Sequence, residues 1–343
     1  MAFQSPRPRT SLKISASLLL CLGLIAHGLI AAGTGTDNQP VAQQAEIVPA
    51  VTSGIHLRPS SIHTRPIQVN VQMVVVGVTV TDPDGRIVTG MNREDFKIYD
   101  EKVPQQIASF SAEDAPASVG IIFDSSASMS NKVERSKAAA VEFFETSNPD
   151  DEFMLIGFND RPSLLSTFTS KLETLQDSLL LMPARGRTAL LDAVYLGLRE
   201  MKRARSNRKA LVVISDGVDN NSRYTEREVE RAVKESDAQI YAIGILEPAA
   251  FRWMPGEESG PALLSRLANI SGGNMFPAKS ADELPEIARK ISLELRNEYV
   301  IAYKPSNLVR DGSWRHLNLE VAPPDGRSSL RVYNRAGYYA PTQ

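Results

Sequence analysis

The stretch IIFDSSASMS, residues 121–130, sets one carboxylate (Asp124) and four hydroxyls (Ser125, Ser126, Ser128 and Ser130) directly behind a run of strand-forming residues. Two other segments carry chemistry of the same kind. Gly186-Arg187-Thr188 opens the pattern TALLDAVYLGL, and Ser215-Asp216-Gly217 closes the apolar run LVVIS. Together they offer the carboxylates of Asp124 and Asp216 and the hydroxyls of Ser126, Ser128 and Thr188. That set is oxygen-only, without a nearby histidine or thiolate, which disfavours zinc or copper and favours a hard cation such as Mg2+ or Mn2+. In D-x-S-x-S, residues two apart in an extended turn can point toward one ion. Two carboxylates leave a divalent ion incompletely coordinated, so an incoming carboxylate could replace a water.

Each segment taken alone has a plainer reading. Ser and Asp are favoured helix N-caps, and the helical pattern NKVERSK follows the serines directly. Thr188 is a similar candidate cap, and Asp216-Gly217 an ordinary strand-end turn. The joint presence of all three, in order, on strand-end loops favours the metal. Asp124, placed at the exposed end of its strand, is then expected to be replaceable without unfolding.

These residues need elements to position them. Apolar strands GIIFD, FMLIGF, KALVVISDG, QIYAIGIL and NMF alternate with helical patterns from NKVERSKAAAVEFFETS to SADELPEIARKISLELR. The first helix has Val133, Ala140, Val141 and Phe144 on its inner face, and Pro285 falls in the first turn of the last. Such alternation predicts an α/β fold with a doubly wound, mainly parallel sheet and helices on both faces. Ligands of open α/β sheets bind outside the carboxyl ends of the strands, where the three loops fall. Residues 117–296 form this unit. Residues 67–116 and 297–343 read as short strands separated by turns, among them the hairpin signal Pro83-Asp84-Gly85. Both flanks are expected to pack into one accessory β-rich unit.

Residues 34–66 are polar, proline-bearing and aperiodic, which suits a linker. Residues 1–33 combine a basic start with a long apolar run and read as a secretory signal, or as an uncleaved N-terminal anchor. An exported protein follows, periplasmic, secreted or envelope-associated, touching a membrane only through that segment. Cys21 is the single cysteine, so no intrachain disulfide forms.

Lys+Arg 38 against Asp+Glu 40, a net charge of -2, argues against a nucleic-acid binder. Catalysis is poorly supported as well. No G-x-S-x-G or phosphate-cradling G-x-x-x-x-G-K-[ST] occurs, and the four histidines lie outside the α/β unit. An aspartate-based phosphotransferase would need D-x-D, where residue 126 is serine. The basic cluster KRARSNRK, 202–209, reads as a solvated loop. Phe251, Trp253 and Met254 form an apolar trio in a proline- and glycine-rich loop, a candidate rim contact for a partner.

The DSSAS of Asp124 to Ser128, the later Thr188, and the SDG of Ser215 to Gly217 resemble the metal-ion-dependent adhesion site of von Willebrand factor type A domains. The resemblance runs from Ala117 to Leu295. It implies a Rossmann-like fold and a Mg2+ or Mn2+ held by Asp124, Ser126, Ser128, Thr188 and Asp216. It also implies a non-enzymatic adhesion or assembly module in which a partner protein's Asp or Glu completes the shell. A wider resemblance, Val69 to Pro341, is to exported bacterial von Willebrand factor A-related proteins, many of acidobacterial type. The rival reading is an envelope scaffold whose ion only stiffens the loops.

Overall fold

The computed structural model describes residues 73–245, 260–323 and 329–342. The segments read as leader and linker, and the trio Phe251, Trp253 and Met254, lie outside the described residues. The first strands are β1 (Val74–Thr81), β2 (Phe96–Asp100), β3 (Val103–Gln105) and β4 (Ile107–Ser111). The α/β unit follows as β5 (Ala117–Asp124), α1 (Val133–Thr146), β6 (Glu152–Phe158), β7 (Pro162–Thr169), α2 (Leu172–Leu180), α3 (Leu190–Glu200), β8 (Arg208–Ser215), α4 (Glu226–Glu235), β9 (Gln239–Ile245), α5 (Gly260–Ser271), β10 (Met275–Ala278) and α6 (Leu284–Arg296). The chain ends in β11 (Tyr299–Tyr303), β12 (Trp314–Val321), β13 (Arg331–Asn334) and β14 (Gly337–Tyr339).

The central sheet has the order β10-β9-β8-β5-β6-β7. All its neighbours are parallel except β7, which runs antiparallel to β6 at the edge. Strand periodicity builds two cores from the same residues. Val119, Ile121 and Phe123 of β5, with Val212 and Ile214 of β8, face α1, α2 and α6. Ile122, Leu211 and Val213 face α3, α4 and α5 on the other side. The fold is therefore doubly wound, and β7 is an addition that the sequence reading lacks. In β7 alternate residues are half-buried and exposed, and no long apolar run marks the strand. On α1, Phe143 is buried with Phe144, whereas the expected Val141 is only half-buried.

The flanks form a sandwich of two four-stranded antiparallel sheets, ordered β13-β1-β11-β4 and β14-β12-β2-β3. N-terminal and C-terminal strands are neighbours in both sheets. Their shared interior holds Val76, Val78, Val80, Phe96, Ile98 and Ile301. Buried Asp100 accepts hydrogen bonds from the hydroxyls of Tyr303 (3.0 Å) and Tyr338 (2.8 Å), joining β2, β11 and β14. Arg208, from the cluster read as a solvated loop, turns inward instead. Its guanidinium donates to the carbonyls of Glu113 (2.7 Å) and Glu298 (3.1 Å), beside the two points where the chain passes between sandwich and α/β unit. The apolar stem and five-donor head of arginine suit it to such a buried crossing.

Candidate metal-binding site

Strand order reverses between β5 and β8, since the chain proceeds from β5 to β6 on one side and returns to β8 on the other. That reversal opens a crevice at the carboxyl ends of these two strands. Asp124 is the last residue of β5, and Asp216 follows β8. Asp124 is completely buried, correcting the expectation of an exposed strand end. One carboxylate oxygen accepts the amide N–H of Ser126 at 2.9 Å and the other accepts the hydroxyl of Ser215 at 2.5 Å. Burial pushes its pKa up to about 6. The bonds from Ser126 and Ser215 oppose that rise, and the charge of Asp216 adds to it. Asp216 is itself 9% exposed. Its Oδ2 lies 3.6 Å from the ammonium of buried Lys132, and its buried Oδ1 has no hydrogen-bond partner. A buried carboxylate oxygen left unpaired is costly unless a cation meets it.

The hydroxyls are not occupied as helix caps. The N-cap of α1 is Lys132, with no side-chain cap, and Ser126 begins a short 3-10 turn without capping it. Instead the Oγ atoms of Ser126 and Ser128 stand 2.9 Å apart. Ser125 donates to the carbonyl of Phe158 (2.9 Å), and Met129 is sunk in the core, so these two neighbours anchor the turn. Thr188 does not cap α3 either. The first amides of that helix are met from the loop after β8: Asp219 accepts from Leu190 (2.8 Å) and Leu191 (3.3 Å), and Ser222 from Asp192 (3.1 Å).

Backbone bonds lace the three loops together. The amide of Ala127 donates to the carbonyl of Gly186 (3.0 Å), and that of Arg185 to Ser125 (2.8 Å). The amides of Asn220 and Asn221 reach the carbonyl of Thr188 (3.0 and 3.1 Å), and Asn220 Oδ1 accepts the Thr188 amide (3.0 Å). Two glycines make the approach feasible. Gly186 has φ +83, and a Cβ there would lie 2.7 Å from Asp160 Oδ2. Gly217 has φ +82 and packs on the backbone of Gly260, leaving no room for a Cβ. Thus Asp124, at the end of β5, adjoins the loops that carry Ser126, Ser128, Thr188 and Asp216, and backbone bonds hold those loops in one cluster.

Sequence reasoning missed the supporting residues Lys132, Asp160, Asp219, Asn220 and Ser222. The Asp/Asn/Ser-rich run DNNS was the available signal, because such side chains satisfy neighbouring backbone groups. Around the cluster, Arg185 and Arg187 are exposed, as are Leu181 (84%) and Val218 (44%). Among the described residues no three His, Cys, Asp or Glu side chains gather as a metal site, so an ion here depends on the hydroxyls. No described helix is long and apolar enough to cross a membrane.

Several solved structures are similar. One is the conserved hypothetical protein BatB from Bacteroides thetaiotaomicron, 18% identical, with 52% of this chain and 98% of that one covered and a TM-score of 0.42. A von Willebrand factor type A protein from Catenulispora acidiphila is 14% identical over 78% of this chain and 75% of its own, with a TM-score of 0.46. The PilB minor pilin from Streptococcus sanguinis is 13% identical over 54% and 62%, with a TM-score of 0.42. No curated protein matches the chain. Residues 119–218, which include Asp124, Thr188 and Asp216, match the family model of the von Willebrand factor type A domain, and the α/β unit has that domain's fold.

Proposed function

We propose that the α/β unit is a non-enzymatic, divalent-metal-dependent protein-binding module of an exported protein, of the von Willebrand factor A-related kind whose sequences it resembles. The observation carrying this reading is that the hydroxyls of Ser126, Ser128 and Thr188 are relieved of helix capping, while the buried carboxylates of Asp124 and Asp216 stand at the carboxyl ends of the neighbouring strands β5 and β8. A chain that needed those residues only for local structure would use them as caps. Asp124, Ser126, Ser128, Thr188 and Asp216 would hold Mg2+ or Mn2+, whose charge would draw a carboxylate from a partner. The oxygen donor set and the unpaired Oδ1 of Asp216 fit a hard cation.

The chain's own residues divide the work. Ser215 and the Ser126 amide orient the Asp124 carboxylate, and Lys132 holds Asp216 in place. Asp219, by capping α3, leaves Thr188 available. Exposed Arg185 and Arg187 give an acidic partner a favourable approach, and Leu181 and Val218 offer apolar rim area. The test is a pull-down from envelope fractions with the full chain, in Mg2+ and in EDTA, with Asp124→Asn as control. The reading expects a partner retained only in Mg2+ by the wild type, while circular dichroism shows the EDTA-treated chain still folded. A partner kept equally in EDTA and by the variant contradicts it. Lost stability in EDTA with no partner in either condition supports the scaffold reading instead.

A further inference from the structure

A second surface lies away from the metal loops, where the sandwich meets the amino-terminal ends of the central strands. A cleft of about 1090 Å3 opens there, walled by β1, the loop after β11, the start of β8 and the residues following α4. Three of its features point to one class of occupant.

The first is a strand edge without a neighbour. β13 pairs with β1 only from Val78 to Thr81. From Val74 to Gly77 the same side of β1 has no strand partner among the described residues, and it faces the cleft. Half the backbone groups of an antiparallel strand point to each side, so an open edge offers a ladder for an added strand.

The second is held apolar surface. Val75 is 55% exposed, Leu308 68% and Val309 58%, all on the cleft wall. Leu308 and Val309 are not on a loose loop. Buried Arg315 donates from its guanidinium to the carbonyls of Asn307 and Val309, fixing the loop that carries them. The third is charge. Lys209, Lys304 and Arg310 line the cleft, and among the described residues none has a carboxylate within 4.0 Å. The acids of the wall are partly spent: Glu298 faces Arg208 at 3.9 Å and Asp237 faces Arg335 at 3.3 Å.

We propose that this cleft binds an extended acidic peptide segment of a partner protein, which adds as a strand to the open edge of β1 between Val74 and Gly77. Main-chain hydrogen bonds supply the ladder, Val75, Leu308 and Val309 contact its apolar residues, and Lys209, Lys304 and Arg310 select its carboxylates. This site is independent of the metal.

The experiment is fluorescence anisotropy on the full chain in EDTA, with a labelled decapeptide of alternating Val and Glu. Comparison peptides replace Glu by Lys, or carry N-methylated backbone amides. Polyphosphate serves as a competitor. The Val-Glu peptide should bind, the Lys and N-methyl peptides should not, and Lys304→Glu/Arg310→Glu should weaken binding about tenfold or more. Asp124→Asn should leave it unchanged, which separates this proposal from the metal reading. Equal binding of the Lys or N-methyl peptide overturns it, as does an unaltered affinity in the double variant. Polyphosphate binding without peptide binding would mark a polyanion site and also overturn it.

Discussion

At the scale of single residues, Asp124 is buried where ionisation is costly without a cation, and the carboxylate of Asp216 stands close to it. Asp124 in the metal-free chain is held protonated by burial up to about pH 6. A group whose folded pKa is raised contributes stability that is complete below its unfolded value, about 4, and is lost as pH rises through the folded one. The EDTA-treated protein should therefore lose stability between about pH 4 and 6 through this residue, by at most about 2–3 kcal/mol. Mg2+ should restore stability above that window and do little below it, which chemical denaturation across pH will show. Asp124→Asn should keep the fold and abolish the Mg2+-induced rise in Tm. Lys132 bears on the same balance, since its ammonium stands beside Asp216. Lys132→Met should destabilise the metal-free form more than the Mg2+ form, widening the gap in Tm between EDTA and Mg2+. An equal loss in both would show that Lys132 serves packing alone.

At the scale of elements, the loops matter through what they take over from the helices. The DSSAS segment was open to two readings in sequence because capping and metal ligation use the same side chains. What separates them is where each helix begins. α1 starts at Val133, past all four serines, and the amides of α3 are served by Asp219 and Ser222 from a distant loop. The run DNNS marks side chains able to satisfy backbone amides, but nothing local says that the amides they meet are those of α3, about thirty residues earlier. Asp219→Ala should cost about 1 kcal/mol of stability through the lost cap. It should also weaken Mg2+ binding, because Thr188 is then free to turn toward its own helix. Thermal denaturation with and without Mg2+ measures both effects, and an unchanged Mg2+ response would remove Asp219 from the site. The strands were more legible. The apolar runs of β5, β6, β8 and β9 could belong only to a sheet buried on both faces. β7 escaped because an edge strand needs no such run.

At the scale of the whole molecule, the segments 74–111 and 299–339 that flank the α/β unit build one sandwich beside it, a pairing suggested by their flanking positions. The joint itself was not legible, because a basic run such as KRARSNRK gives no sign that one arginine turns inward. Arg208 holds the crossing segments, and Glu298 is enclosed beside it with Gln239 Nε2 donating to its Oε1 at 2.6 Å. Burial pushes Glu298 up to about 7, against the opposing pull of Arg208 and Gln239. By the same sign as Asp124, its contribution is complete below about pH 4 and is lost as pH rises through about 7. Glu298→Gln should thus match the wild type near pH 4 and exceed it in stability near pH 8. Identical pH profiles for the two proteins would contradict that reading.

The central claim is that hydroxyls, not only carboxylates, hold a metal between β5 and β8. Calorimetric titration of Mn2+ into the EDTA-stripped, dialysed full chain tests it directly, with Ser126→Ala/Ser128→Ala measured alongside. The account predicts a single ion per wild-type chain, with affinity falling about tenfold or more in the variant as two neutral ligands are lost. Absence of binding to the wild type at millimolar Mn2+, or unchanged binding in the variant, would contradict it.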